Sequence, residues 1–315
     1  MQNKSLLIIG GTGFFGKSIL KYFSKNDYLR KYFKKIFILS RKKINIIKKV
    51  KKNFKIIKIN SNILTIKKLP RADYVIYAAI LKDYDQDHKA VKNYLNLAKK
   101  YHSRSKILYV SSGAVYGKQP NSIRGFKENY LQFNKKINFQ SGYKKEYSKI
   151  KLKNENLFKK FGKKGTKVSV ARCFSFVGEH LPQNSYYAVG NFIKSILNNK
   201  NIEIKANYKV IRSYMFEDNL VKWLLKILDN SSQDCPIYNV GSDNAISINQ
   251  LSYLLSKKYN LKVNLKHKNF KQTIDKYIPN IQKARKELNL SNNLSSLSAI
   301  TKTIDIIKKN YEKVH

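Results

Sequence analysis

The sequence predicts an α/β protein built on a doubly wound parallel sheet, with a smaller lobe after residue 173. Three observations predict it. Short apolar runs alternate with longer helical segments through the first half. The first run leads straight into a glycine-rich turn, Gly10-Gly11-Thr12-Gly13-Phe14-Phe15-Gly16, which opens a helical run. After Cys173 the alternation gives way to helices with short strands. Strands that alternate with helices read as parallel, because a parallel pair needs a crossover long enough to hold a helix.

The predicted buried strands are Leu6–Ile9, Ile36–Leu39, Ile56–Ile59, Tyr74–Ala79, Lys106–Ser111 and Val168–Ala171. Each is β-branched or aromatic and is bounded by turn residues or charges. Helices are predicted at Lys17–Phe23, at Asp85–Tyr101 and at Tyr143–Phe161. In the second, Val91, Tyr94, Leu95 and Ala98 recur at helical spacing. In the third, Tyr147, Ile150, Asn154, Leu157 and Phe158 share one side. Gly117–Ser141 is polar and irregular and follows the fifth strand directly. Long loops at the carboxyl end of a parallel sheet are where ligands sit. Helix Asp218–Leu228 and strand Ile237–Val240 are predicted to return to the main sheet, and a last helix lies near Leu297–Tyr311. The expected organisation is a Rossmann-type dinucleotide-binding domain over 1–173 with 214–241 returning to it, and a substrate-binding lobe from 174–213 and 242–315.

The chain has 315 residues and a formal charge of +45. Only eight of its 64 basic residues are Arg. The lysines spread over most predicted helices instead of forming one stripe, and Arg is the better reader of phosphates and bases. We read the excess as compositional drift and expect no specific nucleic-acid partner. A nucleic-acid-binding protein on this fold is the rival reading. The longest apolar runs, such as Val75–Leu81, are too short to cross a bilayer, and Leu6–Ile9 is too short for a signal-peptide core. A cytoplasmic protein without membrane insertion is expected. Cys173 and Cys235 make neither a disulfide framework nor a metal site, so no metal is predicted.

Gly11, Gly13 and Gly16 satisfy G-x-G-x-x-G, and Gly10, Gly13 and Gly16 satisfy G-x-x-G-x-x-G. Glycine serves a tight turn, close backbone approach to a pyrophosphate and close helix-to-strand packing. The helix N-terminus then presents backbone N–H groups to the anion. A dinucleotide ligand follows. At the end of the second strand, an acidic residue would hold a ribose 2′-hydroxyl. Ser40-Arg41 stands there instead, and a guanidinium suits a 2′-phosphate. NADP(H) is therefore the preferred cofactor and NAD(H) the alternative.

The chain resembles the extended short-chain dehydrogenase/reductase family, the nucleotide-sugar epimerase/dehydratase group. The resemblance rests on the glycine turn, on Asp73-Tyr-Val-Ile-Tyr-Ala78-Ala79 and on Ser111-Ser112-Gly-Ala-Val-Tyr116-Gly117. Tyr147-x-x-x-Lys151 with Glu155, Arg212-Ser-Tyr-Met, Tyr238-Asn-Val-Gly241 and Tyr277-Ile-Pro279 extend it. In a chain with 22 Tyr and so many Lys, chance supplies about four Tyr-x-x-x-Lys pairs, so context must choose. Tyr147/Lys151 follows the Ser112 strand, whereas Tyr253/Lys257 falls in a late helix.

The resemblance implies a catalytic set of Ser112, Tyr147 and Lys151. Tyr147 would exchange a proton, Lys151 would lower its phenol pKa, and Ser112 would hydrogen-bond the same reacting oxygen. It implies cofactor contacts from Gly10, Thr12, Gly13, Phe14, Phe15, Gly16, Ser40, Arg41, Asn62, Ala78, Ala79, Tyr147 and Lys151. It implies substrate contacts from Ser112, Tyr147, Asn191 and Arg212, the last to a diphosphate, and a homodimer paired through the two long helices. Two positions depart from the family. Ser175 stands where Asn is usual, and Asn219 stands where Asp is usual. The dehydratases of the family carry acid groups just after the catalytic hydroxyl. Gly113 and Ala114 occupy those positions here and cannot move a proton. The expected reaction is reduction of a 4-keto-6-deoxy sugar nucleotide for surface-polysaccharide precursors, with 4-epimerisation as the alternative.

Overall fold

The computed structural model describes residues 3–42, 48–133, 137–139, 142–182, 187–267 and 271–312. Ser141, the last residue of the predicted irregular segment, lies outside them. The chain forms two compact units. The first comprises Met1–Gly117, Phe139–Cys173 and Val221–Tyr238; the second comprises Lys118–Asn138, Phe174–Leu220 and Asn239–His315.

In chain order the elements run β1 (Lys4–Ile9), α1 (Phe14–Lys25), β2 (Phe33–Ser40), α2 (Lys48–Asn53), β3 (Lys55–Asn60), β4 (Tyr74–Tyr77), α3 (Tyr84–Tyr101) and β5 (Lys106–Ser112). They continue with the one-turn α4 (Tyr130–Phe133), α5 (Tyr143–Gly162), β6 (Lys167–Cys173), β7 (Phe176–Val177), α6 (Ala188–Leu197), β8 (Ile202–Ile204), β9 (Tyr208–Ser213) and β10 (Met215–Phe216). Last come α7 (Glu217–Asp229), β11 (Ile237–Val240), β12 (Ala245–Ser247), α8 (Ile248–Tyr259), β13 (Val263–Leu265), β14 (Lys271–Tyr277), α9 (Gln282–Leu288) and α10 (Ser296–Glu312). Every strand and helix named from the sequence is present, with ends moved by a few residues.

Seven strands form the main sheet in the order β11-β6-β5-β4-β1-β2-β3. The pairs from β3 to β6 are parallel. Strand order reverses between β1 and β4, and a crevice opens at the carboxyl ends of such a pair. Leu6 to Ile9 are fully buried, as expected of a strand covered on both faces. On one face, α3 and α5 cover the sheet through an aromatic core. Phe158 stacks on Tyr109 at 4.4 Å between ring centroids and meets Tyr77 at 5.7 Å. Burying an aromatic of this kind contributes about 1.5–3 kcal/mol. The core therefore fixes α5, which carries Tyr147 and Lys151, against β5, which ends at Ser112.

In the second unit, the predicted irregular segment is tied down by backbone pairing. The Phe126 N–H donates to the Ile278 carbonyl at 3.1 Å, and the Asn280 N–H returns to Phe126 at 2.8 Å. The Gln119 side chain accepts from the Ile278 N–H at 2.8 Å. The Asn239 amide donates to the carbonyls of Phe126 and Asn280. These contacts give Tyr238-Asn-Val-Gly241 and Tyr277-Ile-Pro279 a structural job. A second apolar core lies among α6, α8 and α10, with Phe192, Ile193, Leu251 and Ile300 buried. Among the described residues no helix is long and apolar enough to cross a membrane, and Cys173 and Cys235 are free and buried.

Candidate active site and its cofactor turn

The glycine turn lies between β1 and α1, at the reversal of strand order. Gly10 has φ +98°, and a Cβ there would come within 2.7 Å of the Ala79 nitrogen. Only glycine fits, because the turn lies directly on the Ala78-Ala79 backbone at the end of β4. A Cβ on Gly16 would overlap the Gly11 backbone, so α1 packs as closely as the turn allows. Gly13 differs. It is exposed, and a Cβ there would meet only the Gly10 carbonyl oxygen, at an ordinary 3.5 Å. Protein packing does not demand glycine at position 13, so the backbone there is open to close approach by a ligand. Gly13 also caps α1 without a side-chain hydrogen bond, and no acidic residue occupies the first turn. A pyrophosphate fits that N-terminus. Thr12, Phe14 and Phe15 line the same turn half-buried, with the two rings edge to face at 5.7 Å.

At the end of β2 the predicted pair separates. The Ser40 hydroxyl is buried and donates to the Lys42 carbonyl at 2.7 Å. Arg41 is exposed and lines a cavity of about 520 Å³ with Lys42, Leu81, Lys82, Asp83 and Gln86. Asp83 spends its carboxylate capping α3, accepting from the Gln86 N–H at 2.8 Å. Three cations thus line the cavity against one occupied acid. Asn62 starts the turn after β3, where its side chain accepts from the Leu64 N–H at 3.1 Å.

Ser112 closes β5 and caps a 3-10 turn over Gly113–Tyr116, accepting from the Ala114 N–H at 3.2 Å. Its side chain hydrogen-bonds the Tyr147 phenol. Lys151, one turn along α5, is buried; its ammonium donates to the Val110 carbonyl at 3.3 Å and lies 5.9 Å from the Tyr147 ring centroid. The three residues singled out from the sequence therefore share one site. The rival pair does not: Tyr253 is 63 % exposed on α8.

Burial opposes the effect expected of Lys151 on Tyr147. Burial pushes the Tyr147 phenol up to about 12, the Ser112 hydrogen bond acts against it, and Cys173 and Asp87 add to the rise. The Lys151 ammonium faces the ring and the Val110 carbonyl, and desolvation is the largest influence on the phenol. At neutral pH the phenol keeps its proton.

Two buried acids beside this site have partners that the sequence reading did not assign. Glu155 accepts two bonds from Arg172 at 2.7 and 3.1 Å and one from the Ser111 hydroxyl at 2.5 Å. Arg172 also donates to the Tyr116 hydroxyl at 2.9 Å. Asp87 is 1 % exposed, accepting from the Leu81 N–H at 2.9 Å and the Asn154 amide at 3.2 Å. Three acids within five residues, Asp83, Asp85 and Asp87, were a signal in so basic a chain.

The second unit holds the remaining predicted contacts. Asn191 sits near the start of α6 and lines a cavity of about 260 Å³ with Lys194, Ser195, Asn198, Lys200, Glu203 and Lys205. Arg212 on β9 is half-buried and pairs with Asp275 of β14 at 2.7 Å. Asn219, where the family usually has Asp, donates to the Asn292 side chain at 2.7 Å.

The chain is 29 % identical over 274 residues to a dTDP-D-glucose 4,6-dehydratase of Dictyostelium discoideum, covering 78 % of this chain and 59 % of that protein. The chain thus spans 59 % of the length of the curated relative it matches. Among solved structures, it is similar to dTDP-glucose 4,6-dehydratase from Bacillus anthracis in complex with NAD, with TM-score 0.75, 17 % identity and 98 % of each chain covered. It is similar to UDP-glucose 4-epimerase from Thermotoga maritima with UDP-glucose, with TM-score 0.75, 18 % identity and 98 % and 99 % covered. It is also similar to UDP-N-acetylglucosamine 4-epimerase from Methanobrevibacter ruminantium, with TM-score 0.75, 20 % identity and both chains fully covered. Residues 6–241 match the model of the NAD dependent epimerase/dehydratase family. The glycine turn, the Ser112 strand and the Tyr147 helix all lie inside that match, and the chain belongs to this family.

Proposed function

We propose that the protein reduces a 4-keto-6-deoxy sugar carried on a nucleoside diphosphate, in the synthesis of surface-polysaccharide precursors. One observation carries the reading. The site pairs a phenol that holds its proton with a serine hydroxyl, and puts Gly113 and Ala114 where a dehydratase needs acids. Asp87 and Glu155 do not replace those acids, because both carboxylates are buried and engaged. The set can give a proton to an oxygen and cannot take one from a neighbouring carbon.

Bound NAD(P)H supplies the hydride that converts the keto carbon. Tyr147 gives its phenolic proton to the carbonyl oxygen as that oxygen gains charge, and the alcohol forms. The Ser112 hydroxyl holds the same oxygen in line with Tyr147. Lys151 would hold the cofactor and keep positive charge beside the phenolate left behind. Gly13 and the first turn of α1 would take the pyrophosphate. Arg41, Lys42 and Lys82 around their cavity suit a 2′-phosphate, so NADP(H) is preferred over NAD(H). Asn191 and Arg212 would meet the nucleotide diphosphate. The same reading makes the protein a cytoplasmic homodimer paired through α3 and α5.

The test is turnover. NADPH or NADH is mixed with a panel of nucleotide 4-keto-6-deoxy sugars, and cofactor oxidation is followed. Tyr147→Phe is expected to abolish turnover and leave cofactor affinity within about twofold, since one proton donor is removed and no cofactor charge is touched. Full activity in that variant would refute the assignment. Epimers formed from UDP- or GDP-hexoses with no net redox would replace the reductase with a 4-epimerase, whose residue set is the same.

A further inference from the structure

The Arg212 guanidinium is clamped at one end and open along one side. Arg212 belongs to β9, the middle strand of the sheet β12-β9-β14 in the second unit. Its Nη1 donates to the Ile211 carbonyl at 2.9 Å and to the Asp275 carbonyl at 2.8 Å. Its Nη2 donates to Asp275 Oδ2 at 2.7 Å. In the parallel β9–β14 ladder, Asp275 stands opposite Val210 and Tyr277 opposite Arg212. Residues two apart on a strand share a face, so Asp275 and Arg212 are diagonal neighbours. The carbonyl and the carboxylate of one residue therefore hold both terminal nitrogens.

A guanidinium carries five N–H donors in a fixed plane. Two are engaged at Nη1 and one at Nη2. Among the described residues, the Nε–H and the second Nη2 hydrogen have no partner. Those two belong to the Nε side of the fork, where parallel N–H bonds can meet two oxygens of one phosphate. The side chain is 20 % exposed, so it is reachable from water. Asp275 adds nothing to the attraction of an anion, because its charge offsets that of the arginine. What it adds is direction. A free arginine stem samples many rotamers, and ordering it on binding costs affinity; a clamp already in place removes that cost. With 64 basic residues against 19 acidic ones, this chain has positive charge in excess. An acid held against one of its few arginines serves geometry.

We propose that Asp275 is a positioning residue for substrate binding: it clamps the end of the Arg212 guanidinium so that the Nε side meets a phosphate of the nucleoside diphosphate. This rests on the reading in which Arg212 contacts the substrate diphosphate. It goes further in making the planar fork, and not the charge, the recognising element.

The test is calorimetric and needs neither cofactor nor turnover. UDP, GDP and dTDP are titrated into the parent protein, and the tightest of them into the variants. Arg212→Ala is expected to weaken binding about tenfold or more. Asp275→Ala is expected to weaken it about tenfold, whereas Asp275→Asn, whose amide oxygen still accepts from Nη2, should stay within about threefold of the parent. The double variant Arg212→Ala/Asp275→Ala should bind like Arg212→Ala alone, because Asp275 acts through the guanidinium. A further loss in the double variant is what a purely structural role gives, and it overturns the proposal. Asp275→Ala binding as tightly as the parent, or more tightly, overturns it too. If Asp275→Ala does not fold, Arg212→Lys decides. A point charge without the fork should bind within about threefold of Arg212→Ala, and affinity equal to the parent's overturns the proposal. The two failures are distinguishable. If Arg212→Ala leaves affinity unchanged, or the parent binds none of the three, the reading of Arg212 falls and the proposal with it. If Arg212→Ala weakens binding and Asp275→Ala does not, that reading stands and the proposal alone falls.

Discussion

Arg41 and Ser40 stand side by side at the end of β2, and the structure gives them different work. The Ser40 hydroxyl is committed to the Lys42 carbonyl, whereas Arg41 lines the cavity. A guanidinium bound to a 2′-phosphate is charge-assisted and contributes about 1.5–3 kcal/mol, less where solvent screens it. Arg41→Ala is therefore expected to weaken NADPH about tenfold and to change NADH by less than about threefold. Fluorescence titration of the two reduced cofactors measures both. Equal losses would remove the case for NADP(H), and so would no loss at all. The same scale marks what sequence spacing could not show. It offered Tyr147 and Lys151 as neighbours one helical turn apart, and neighbours they are. What sets the acidity of the phenol is chiefly burial, which no local pattern shows.

At the scale of elements, a single buried ion pair joins four segments. Glu155 on α5 binds Arg172 on β6, Arg172 binds Tyr116 at the end of the 3-10 turn, and Ser111 on β5 binds Glu155. The turn that starts at Ser112 and the helix that carries Tyr147 are thus held by one carboxylate. Removing one partner of a buried pair leaves the other charge uncompensated, at a cost of about 3–5 kcal/mol. Glu155→Ala should destabilise the fold by about that amount in urea unfolding, because Arg172 would keep only the Tyr116 hydroxyl among these partners. A loss under about 1 kcal/mol would mean that water reaches Arg172 and that the network holds nothing in place. Strands and long helices were legible because burial on both faces leaves continuous apolar runs and one-sided burial leaves a helical period. The segment after Gly117 was not, since its order comes from Asn239 and from Ile278–Asn280, far along the chain. A pattern that depends on distant partners has no local period to read.

At the scale of the whole molecule, the charge of +45 must be reconciled with a site that needs only a few cations. The acids that could balance it are few, and several are already taken: Glu155 by Arg172, Asp275 by Arg212, Asp229 by Lys106 and Asp243 by Arg285. Lysine spread over most of the helices attracts any polyanion without regard to sequence. Such binding works by counterion release. For six to ten phosphate contacts it falls by about 10³ to 10⁵ in affinity between roughly 50 and 200 mM salt. Compositional drift therefore predicts RNA binding that is measurable at low salt, indifferent to sequence and lost at physiological salt. A specific nucleic-acid site would keep a salt-independent part of its affinity from base contacts and stacking. Filter binding of one structured and one unstructured RNA across that salt range separates the two. Affinity that survives at physiological salt and prefers one RNA would make nucleic acid a true partner. Collapse of both would leave the lysines as solvated surface with no specific nucleic-acid partner.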